Sequence, residues 1–437
     1  MRGQGVTSKG GTNALSDVRL HTPRGVRDLL PSAARRKGAL EQRLASHFSA
    51  WGYDPVVTPT FEFMDVFDAA GTAPSAEQLY RLVDREGQVL ALRPEMTVPI
   101  ARLVASRMKE HPAPLRLYYI GSVFRYDEPQ SGRLREFTQA GLELIGASGP
   151  AADAEVIAVT IEAMMALGLR DFRVDVGHVG FTAGVIDSLG LSVKAATAVR
   201  HMLREQDYVG LTGVLEQSGA STEAKETVKA LTRLRGGAGV LDEASRLARS
   251  EQTERALENV SVVMRHLEDQ GVAGWVRIDL GMLKQADYYT GIIVEGYTSE
   301  MGYGLCSGGR YDHLLERFGY PAPATGLALG VERLLLALER AGVPNGDEPE
   351  RIFLVSEPAR HREACSTAWR LRRQGYVVEV DVLGMEEDAA LAYARRKGMH
   401  RTVLFTGAPQ GPVELVEGER RRHVAPDDLF ENGGRGA

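Results

Sequence analysis

The sequence predicts an α+β fold in two parts: a large mixed region carrying a helical insertion, and a small C-terminal α/β domain. Three observations carry this. Beyond residue 351, strand-like and helix-like segments alternate at short spacing, the pattern of a βαβ unit with a parallel sheet. Between about residues 186 and 267 the chain turns helical and rich in Ala, Leu, Glu and Arg. Residues 342–350 (GVPNGDEPE) are polar and turn-forming, and make the clearest domain boundary. A chain of 437 residues also exceeds what one hydrophobic core usually holds.

Taken in order, residues 1–20 read as a disordered tail, and order begins near His21. Residues 32–50 have helical spacing, with Leu40, Leu44 and Phe48 on one face, and Trp51-Gly52 ends the run. Residues 53–62 (YDPVVTPTFE) read as one strand with prolines at its edges. Strands follow at 88–93, 115–126 and 137–145, and helices at 97–108 and 151–167. The insertion carries a glycine break at 235–239. Strands resume at 275–280 and 292–297, and a helix follows the 325–330 run through about residue 341. In the C-terminal domain (351–430), strands at 351–355, 376–382 and 402–406 alternate with helices at 359–374 and 386–397. The closing ENGGRGA reads as disordered.

Composition narrows the function classes. Apolar residues at 43% and charged residues at 25% are ordinary for a globular protein. The net charge of −6 argues against a broadly basic, nucleic-acid-coating surface. Cys306 and Cys365 are far apart, which excludes a disulfide framework and a cysteine zinc site. The histidines show no metal-ligand spacing, and no cofactor motif is present. No apolar run approaches the roughly 18 residues of a membrane span. The first residues lack the apolar core of a secretory signal, so the expected location is cytoplasmic.

Three segments carry chemistry. Tyr288-Tyr289-Thr290-Gly291 leads through an apolar run into Ser307-Gly308-Gly309-Arg310-Tyr311, aromatic walls over a floor of small residues that suits a small polar ligand. Gln139 and Glu143 fall on one face of a strand by the period of two, although such a pair on a strand is often only a solvated face. Arg125 and Phe137 sit on successive strands, joined by a loop with Arg133; they offer a cationic clamp and a stacking ring, or else an unrelated surface hairpin.

Together these segments resemble histidyl-tRNA synthetases of the class II family. Residues 124–137 are similar to the second class II signature, with Asp127 in place of the usual Glu, and residues 326–334 to the third, with its arginine at Arg333. Residues 52–59 resemble the first, which in the family forms a dimer interface. Leu92-Arg93-Pro94-Glu95-Met96-Thr97 resembles the synthetase segment Leu-Arg-Pro-Glu-Gly-Thr, whose Glu and Thr hold the amino group of histidine. With Met96, the segment is closer to that of the ATP phosphoribosyltransferase regulatory subunits, paralogues of the synthetase. Lys284 stands where synthetases carry an arginine that acts on carboxylate and α-phosphate.

The resemblance implies an antiparallel sheet flanked by helices over about 21–341, and an anticodon-binding-like C-terminal domain. It implies a histidine pocket of Glu95, Thr97, Arg125, Gln139, Glu143, Tyr288, Tyr289 and Tyr311, and a vestigial nucleotide site of Arg133, Phe137 and Arg333. The implied protein is a non-catalytic regulatory subunit of a short-form ATP phosphoribosyltransferase, with a catalytic subunit as partner, histidine as allosteric ligand and a homodimeric core. A histidyl-tRNA synthetase is the alternative, and a stand-alone histidine-binding or amino-acid-ligating paralogue a third reading. Lys284, Met96 and Asp127 weigh against the synthetase, because an ammonium cannot reproduce the planar fork of a guanidinium. Over 351–437, 14 Lys+Arg against 13 Asp+Glu give a balance of +1, little electrostatic reason for tRNA affinity.

Overall fold

The computed structural model describes residues 20–71, 78–126, 134–284, 288–299, 301–344 and 350–429. The chain divides into two compact units, residues 1–344 and 345–437.

The first unit is built on a nine-stranded sheet among the described residues. In chain order its strands, with those of a small companion sheet, are β1 (Asp54–Pro55), β2 (Phe61–Phe63), β3 (Arg81–Val83), β4 (Val89–Leu92), β5 (Leu115–Phe124), β6 (Glu136–Ile145), β7 (Arg173–His178), β8 (Arg235–Gly236), β9 (Val276–Asp279), β10 (Ile292–Tyr297), β11 (Cys306–Arg310) and β12 (Ala324–Gly330). The large sheet runs β1-β5-β6-β12-β11-β10-β7-β9-β8, and β2-β4-β3 form the small one. From β5 through β7 all pairs are antiparallel, while β1–β5 and β7–β9 are parallel. Residues 53–62, expected as one strand, form two short ones. Pro55 and Pro59 have no N–H to give, so a continuous ladder cannot form there. Within the expected glycine break, Arg235 and Gly236 add the edge strand β8. The strand β7 was not anticipated.

The period of two sorts the sheet into two faces. Ala140, Leu142 and Leu144 of β6 point into a core shared with the helices Pro31–Ala50, Pro150–Leu167 and Glu251–Asp269. The helix Pro150–Leu167 is apolar over most of its surface, in keeping with its burial on most sides; Gly149-Pro150 opens it and Gly168, at φ 103°, ends it. The opposite face carries Leu117, Tyr119 and Val123 of β5, packed with Val98, Ile100 and Val104 of the helix Thr97–Arg107 and with Tyr311 and Leu314. This second face holds the candidate site. Between residues 186 and 267 the chain is helical apart from β8 and short connections.

The second unit has a five-stranded sheet of β13 (Arg351–Ser356), β14 (Val377–Val380), β15 (Arg401–Phe405), β16 (Val413–Glu417) and β17 (Arg420–Val424), ordered β14-β13-β15-β16-β17. The first three are parallel, with helices His361–Arg373 and Glu387–Arg396 on opposite faces. Ile352 and Leu354 pack with Ala364, Ala368 and Leu371, whereas Phe353 and Val355 pack with Ala390, Leu391 and Ala394. The antiparallel hairpin β16–β17 extends the expected parallel sheet. The buried Arg360 ties the unit together, donating to Glu363 and to the carbonyls of Thr406, Gly411 and Pro412.

Candidate ligand-binding site

Glu143 is the centre of the site. It is 1% exposed, yet its carboxylate is held by side chains from two other elements. Thr97, at the start of the helix Thr97–Arg107, donates its hydroxyl to Oε1 at 2.8 Å, and the Tyr311 hydroxyl donates to Oε2. Gly326 of β12 lies opposite Glu143 in register, and its missing side chain leaves room for the carboxylate. Burial pushes the Glu143 carboxyl up to about 8, against the pull of both hydroxyls, and the charge of Glu95 adds to the rise.

Glu95 is half-buried nearby and is spent locally. Its two oxygens accept the backbone N–H groups of Thr97 at 2.8 Å and Val98 at 2.9 Å, satisfying the first donors of the helix. Burial raises its pKa, while those N–H groups and Arg125 oppose the rise. The Pro-Glu-Met-Thr stretch is thus a helix start whose capping carboxylate faces the pocket. Met96, which takes the place of a glycine in the synthetase pattern, is 2% exposed and packs in the core.

Three tyrosine rings lie together beside Glu143. Tyr288 and Tyr289 have ring centroids 4.7 Å apart, and Tyr288 meets Tyr311 edge-on at 5.8 Å. Burial holds all three phenols above their ordinary range, so they remain neutral hydrogen-bonding groups. Gln139, two positions before Gly141 on the same face, has its Oε1 buried without a hydrogen-bond partner among the described residues. A buried acceptor in that state is costly unless a ligand or water donates to it. Arg125 donates Nε to the Pro94 carbonyl at 2.8 Å and lies 5.4 Å over the Phe137 ring. Arg133 and Asp127 fall outside the described residues. Arg333 sits on the helix Val331–Arg340, donating to the Gly304 carbonyl at 2.6 Å and lying 5.2 Å over Tyr303.

Two residues of the site were missed in the sequence. Tyr119 is buried beside Thr97, with Glu143, Glu95 and Tyr289 close enough to raise its pKa further after burial itself. Its only sequence signal is alternation along β5, which reads equally as core. Arg93 braces the floor: it donates to the carbonyls of Ser122, Thr58 and Pro59, and a Cβ on Gly121 would come within 2.7 Å of it. Lys284 forms an ion pair with Glu295 at 2.9 Å.

A largely antiparallel sheet with the helices Pro31–Ala50, Pro150–Leu167 and Glu251–Asp269 on one face, and an acidic, tyrosine-walled cradle on the other, defines a class II synthetase-like core. The histidyl-tRNA synthetase family model matches residues 25–334. A histidyl-tRNA synthetase structure from Nostoc superposes with a TM-score of 0.80 at 24% identity, covering 94% of this chain and 98% of that one, a likeness of fold. The relatives closer in sequence carry another name. The ATP phosphoribosyltransferase regulatory subunit of Moorella thermoacetica is 47% identical over 388 residues (88% of this chain, 98% of that protein), and that of Geobacter sulfurreducens 39% over 402 residues (92% of each). A Bacillus halodurans structure described as an ATP phosphoribosyltransferase regulatory subunit/histidyl-tRNA synthetase superposes with a TM-score of 0.80 at 35% identity, covering 89% of this chain and 98% of that one. The chain belongs to the ATP phosphoribosyltransferase regulatory subunit family, within the histidyl-tRNA synthetase-like proteins.

Proposed function

We propose that this chain is the regulatory subunit of a short-form ATP phosphoribosyltransferase, without catalytic activity of its own, and that it senses histidine for feedback inhibition of the first step of histidine biosynthesis. The observation that carries the reading is the cradle around Glu143. One buried and one half-buried carboxylate, three neutral phenols and an orphaned amide oxygen form a site for a small ligand with an ammonium and a second N–H donor, which histidine supplies. In this reading Glu143, Thr97 and Glu95 meet the ammonium, Gln139 an imidazole N–H, and Tyr288, Tyr289 and Tyr311 the ring, with Arg125 on the rim. Phe137, Arg333 and Arg133 are the vestige of a nucleotide site.

Lys284 supports the non-catalytic part. Preorganised cations are usually the largest contribution to acyl-phosphate chemistry, and losing one such donor costs roughly a hundredfold or more in rate. An ammonium already paired with Glu295 is a poor substitute. The partner is a separate catalytic subunit, bound to a homodimeric core of this chain in the cytoplasm. Among the described residues no helix is long and apolar enough to cross a membrane.

The test has two arms. The purified chain shows no histidine-dependent ATP–pyrophosphate exchange; exchange at a synthetase-like rate would make it a synthetase instead. Added to a short-form catalytic subunit at fixed concentration, the chain raises phosphoribosyl transfer, and histidine then suppresses it. Linkage requires that substrates of the catalytic subunit shift histidine affinity by the same factor. A catalytic subunit indifferent to the chain would overturn the assignment.

A further inference from the structure

Across the sheet from Glu143, a second cluster of charge has no part in holding the ammonium. Lys284 follows β9 and places Nζ 2.9 Å from Glu295 Oε2, its side chain only 12% exposed. Glu295 of β10 lies on the same face as Glu143. The register runs Glu295–Ser307 across β10 and β11, Ser307–Ala328 to β12, and Ala328–Gly141 to β6, two residues from Glu143. The row beside it holds Gly309 and Gly326. On β11 and β12, the strands between the two clusters, this face carries only small residues. The neighbouring Arg333 already serves the Gly304 carbonyl, which lies beside Glu295.

We infer that Glu295 is a specificity-determining residue: as an internal counter-ion of Lys284, it sets this end of the pocket for a single carboxylate and against a phosphate. The inference rests on the reading of the pocket as an amino-acid site. An ammonium has three donors. With one given to Glu295, the others serve a ligand carboxylate in a mixed cluster of one cation and two anions. A phosphate ester brings nearly two charges to the same partly buried ammonium, and Glu295 repels it at close range. The pocket then takes the free amino acid and rejects the same skeleton bearing a phosphorylated end.

Calorimetric titration of the full-length chain tests this with three probes that share imidazole and ammonium: histidine, histidinol phosphate and histidinol. The wild type is expected to bind histidinol phosphate at least tenfold more weakly than histidine. Glu295→Gln, nearly isosteric, narrows that ratio at least tenfold. Lys284→Gln, an independent variant, weakens histidine at least tenfold and histidinol by less than threefold. Equal affinity of the wild type for histidine and histidinol phosphate, an unchanged ratio in Glu295→Gln, or equal losses of histidine and histidinol in Lys284→Gln overturns the inference while leaving the histidine pocket standing. Absence of histidine binding to the wild type overturns both.

Discussion

The Glu143 carboxylate lies directly over Gly326: a Cβ built on that glycine would sit 1.7 Å from Oε2 and 2.7 Å from the carboxylate carbon. The acid at the centre of the pocket and the glycine of the adjacent strand are thus one structural unit. Gly326→Ala must push Glu143 off its bonds with Thr97 and Tyr311. The expected cost is about 1–3 kcal/mol of stability, as for other overpacked interiors, with loss of histidine binding. Urea denaturation and calorimetry on the variant measure the two effects. A variant with wild-type stability and affinity would contradict the close approach.

If the proposed site is right, Glu143→Ala removes the carboxylate that meets the ligand ammonium. Histidine binding is expected to weaken by about 1–3 kcal/mol, the usual cost of an unpaired buried group. Activation of a catalytic subunit should persist, while far more histidine is needed for inhibition. Wild-type affinity by calorimetry would place the ligand elsewhere.

The pH dependence follows from the raised pKa of Glu143. The folded protein keeps this proton up to about pH 8. A ligand ammonium favours the ionised form and draws the proton off. Binding between about pH 6.5 and 8 should therefore release up to one proton, and affinity should rise by roughly tenfold per pH unit before levelling near 8. Titrations in buffers of different ionisation enthalpy count the protons released. Affinity that is flat over this window would mean that Glu143 is already ionised.

The same shift acts on stability without ligand, with a definite sign. The folded-state pKa lies above the unfolded one, so the contribution is complete below about pH 4 and is lost as pH rises towards 8. Between these limits the folded state binds one more proton, and this group's contribution falls by about 1.4 kcal/mol per pH unit. Glu143→Gln should flatten that part of the curve of unfolding free energy against pH. An unaltered curve would assign the slope to other groups.

Arg310 supplies a test away from the ligand. Its Nε lies 3.0 and 3.1 Å from the two Asp153 oxygens, and it also donates to Asp312 and to the Ala147 and Gly149 carbonyls. This joins the end of β11 to the start of the helix Pro150–Leu167. Asp153→Ala leaves a buried guanidinium with its main counter-charge gone, and should cost about 3–5 kcal/mol. A loss under 1 kcal/mol by chemical denaturation would show that Asp312 and the carbonyls suffice.

How much of this was legible beforehand depends on the range of the forces involved. The spacing of Leu40, Leu44 and Phe48 identified a helix face, and all three are buried. The period of two put Gln139 and Glu143 on one face of β6, and hydrogen-bonded neighbours on both sides keep that alternation. Pro55 and Pro59 are visible in the sequence, yet the one strand expected over 53–62 is two, since neither proline can donate to a ladder. The hairpin β16–β17 was not anticipated. Its second strand, RRRHV, is mostly exposed at a sheet edge and carries no apolar alternation.

The sequence by itself determined the chain's family and the residue types of the pocket, because those signals are local: glycines where backbone must pass closely, tyrosines beside them, and a carboxylate at a helix start. Tertiary structure alone decided what these groups do to one another. The rise of Glu143 to about 8 depends on burial by elements distant in the chain, and the role of Gly326 exists only because β12 lies against β6. Tyr119 entered the site only when β5 met the Thr97 helix. Lys284 was legible as a replaced arginine, but its neutralisation by Glu295 was not. Desolvation and charge pairing depend on which surfaces meet in space, and no local window of sequence carries that information.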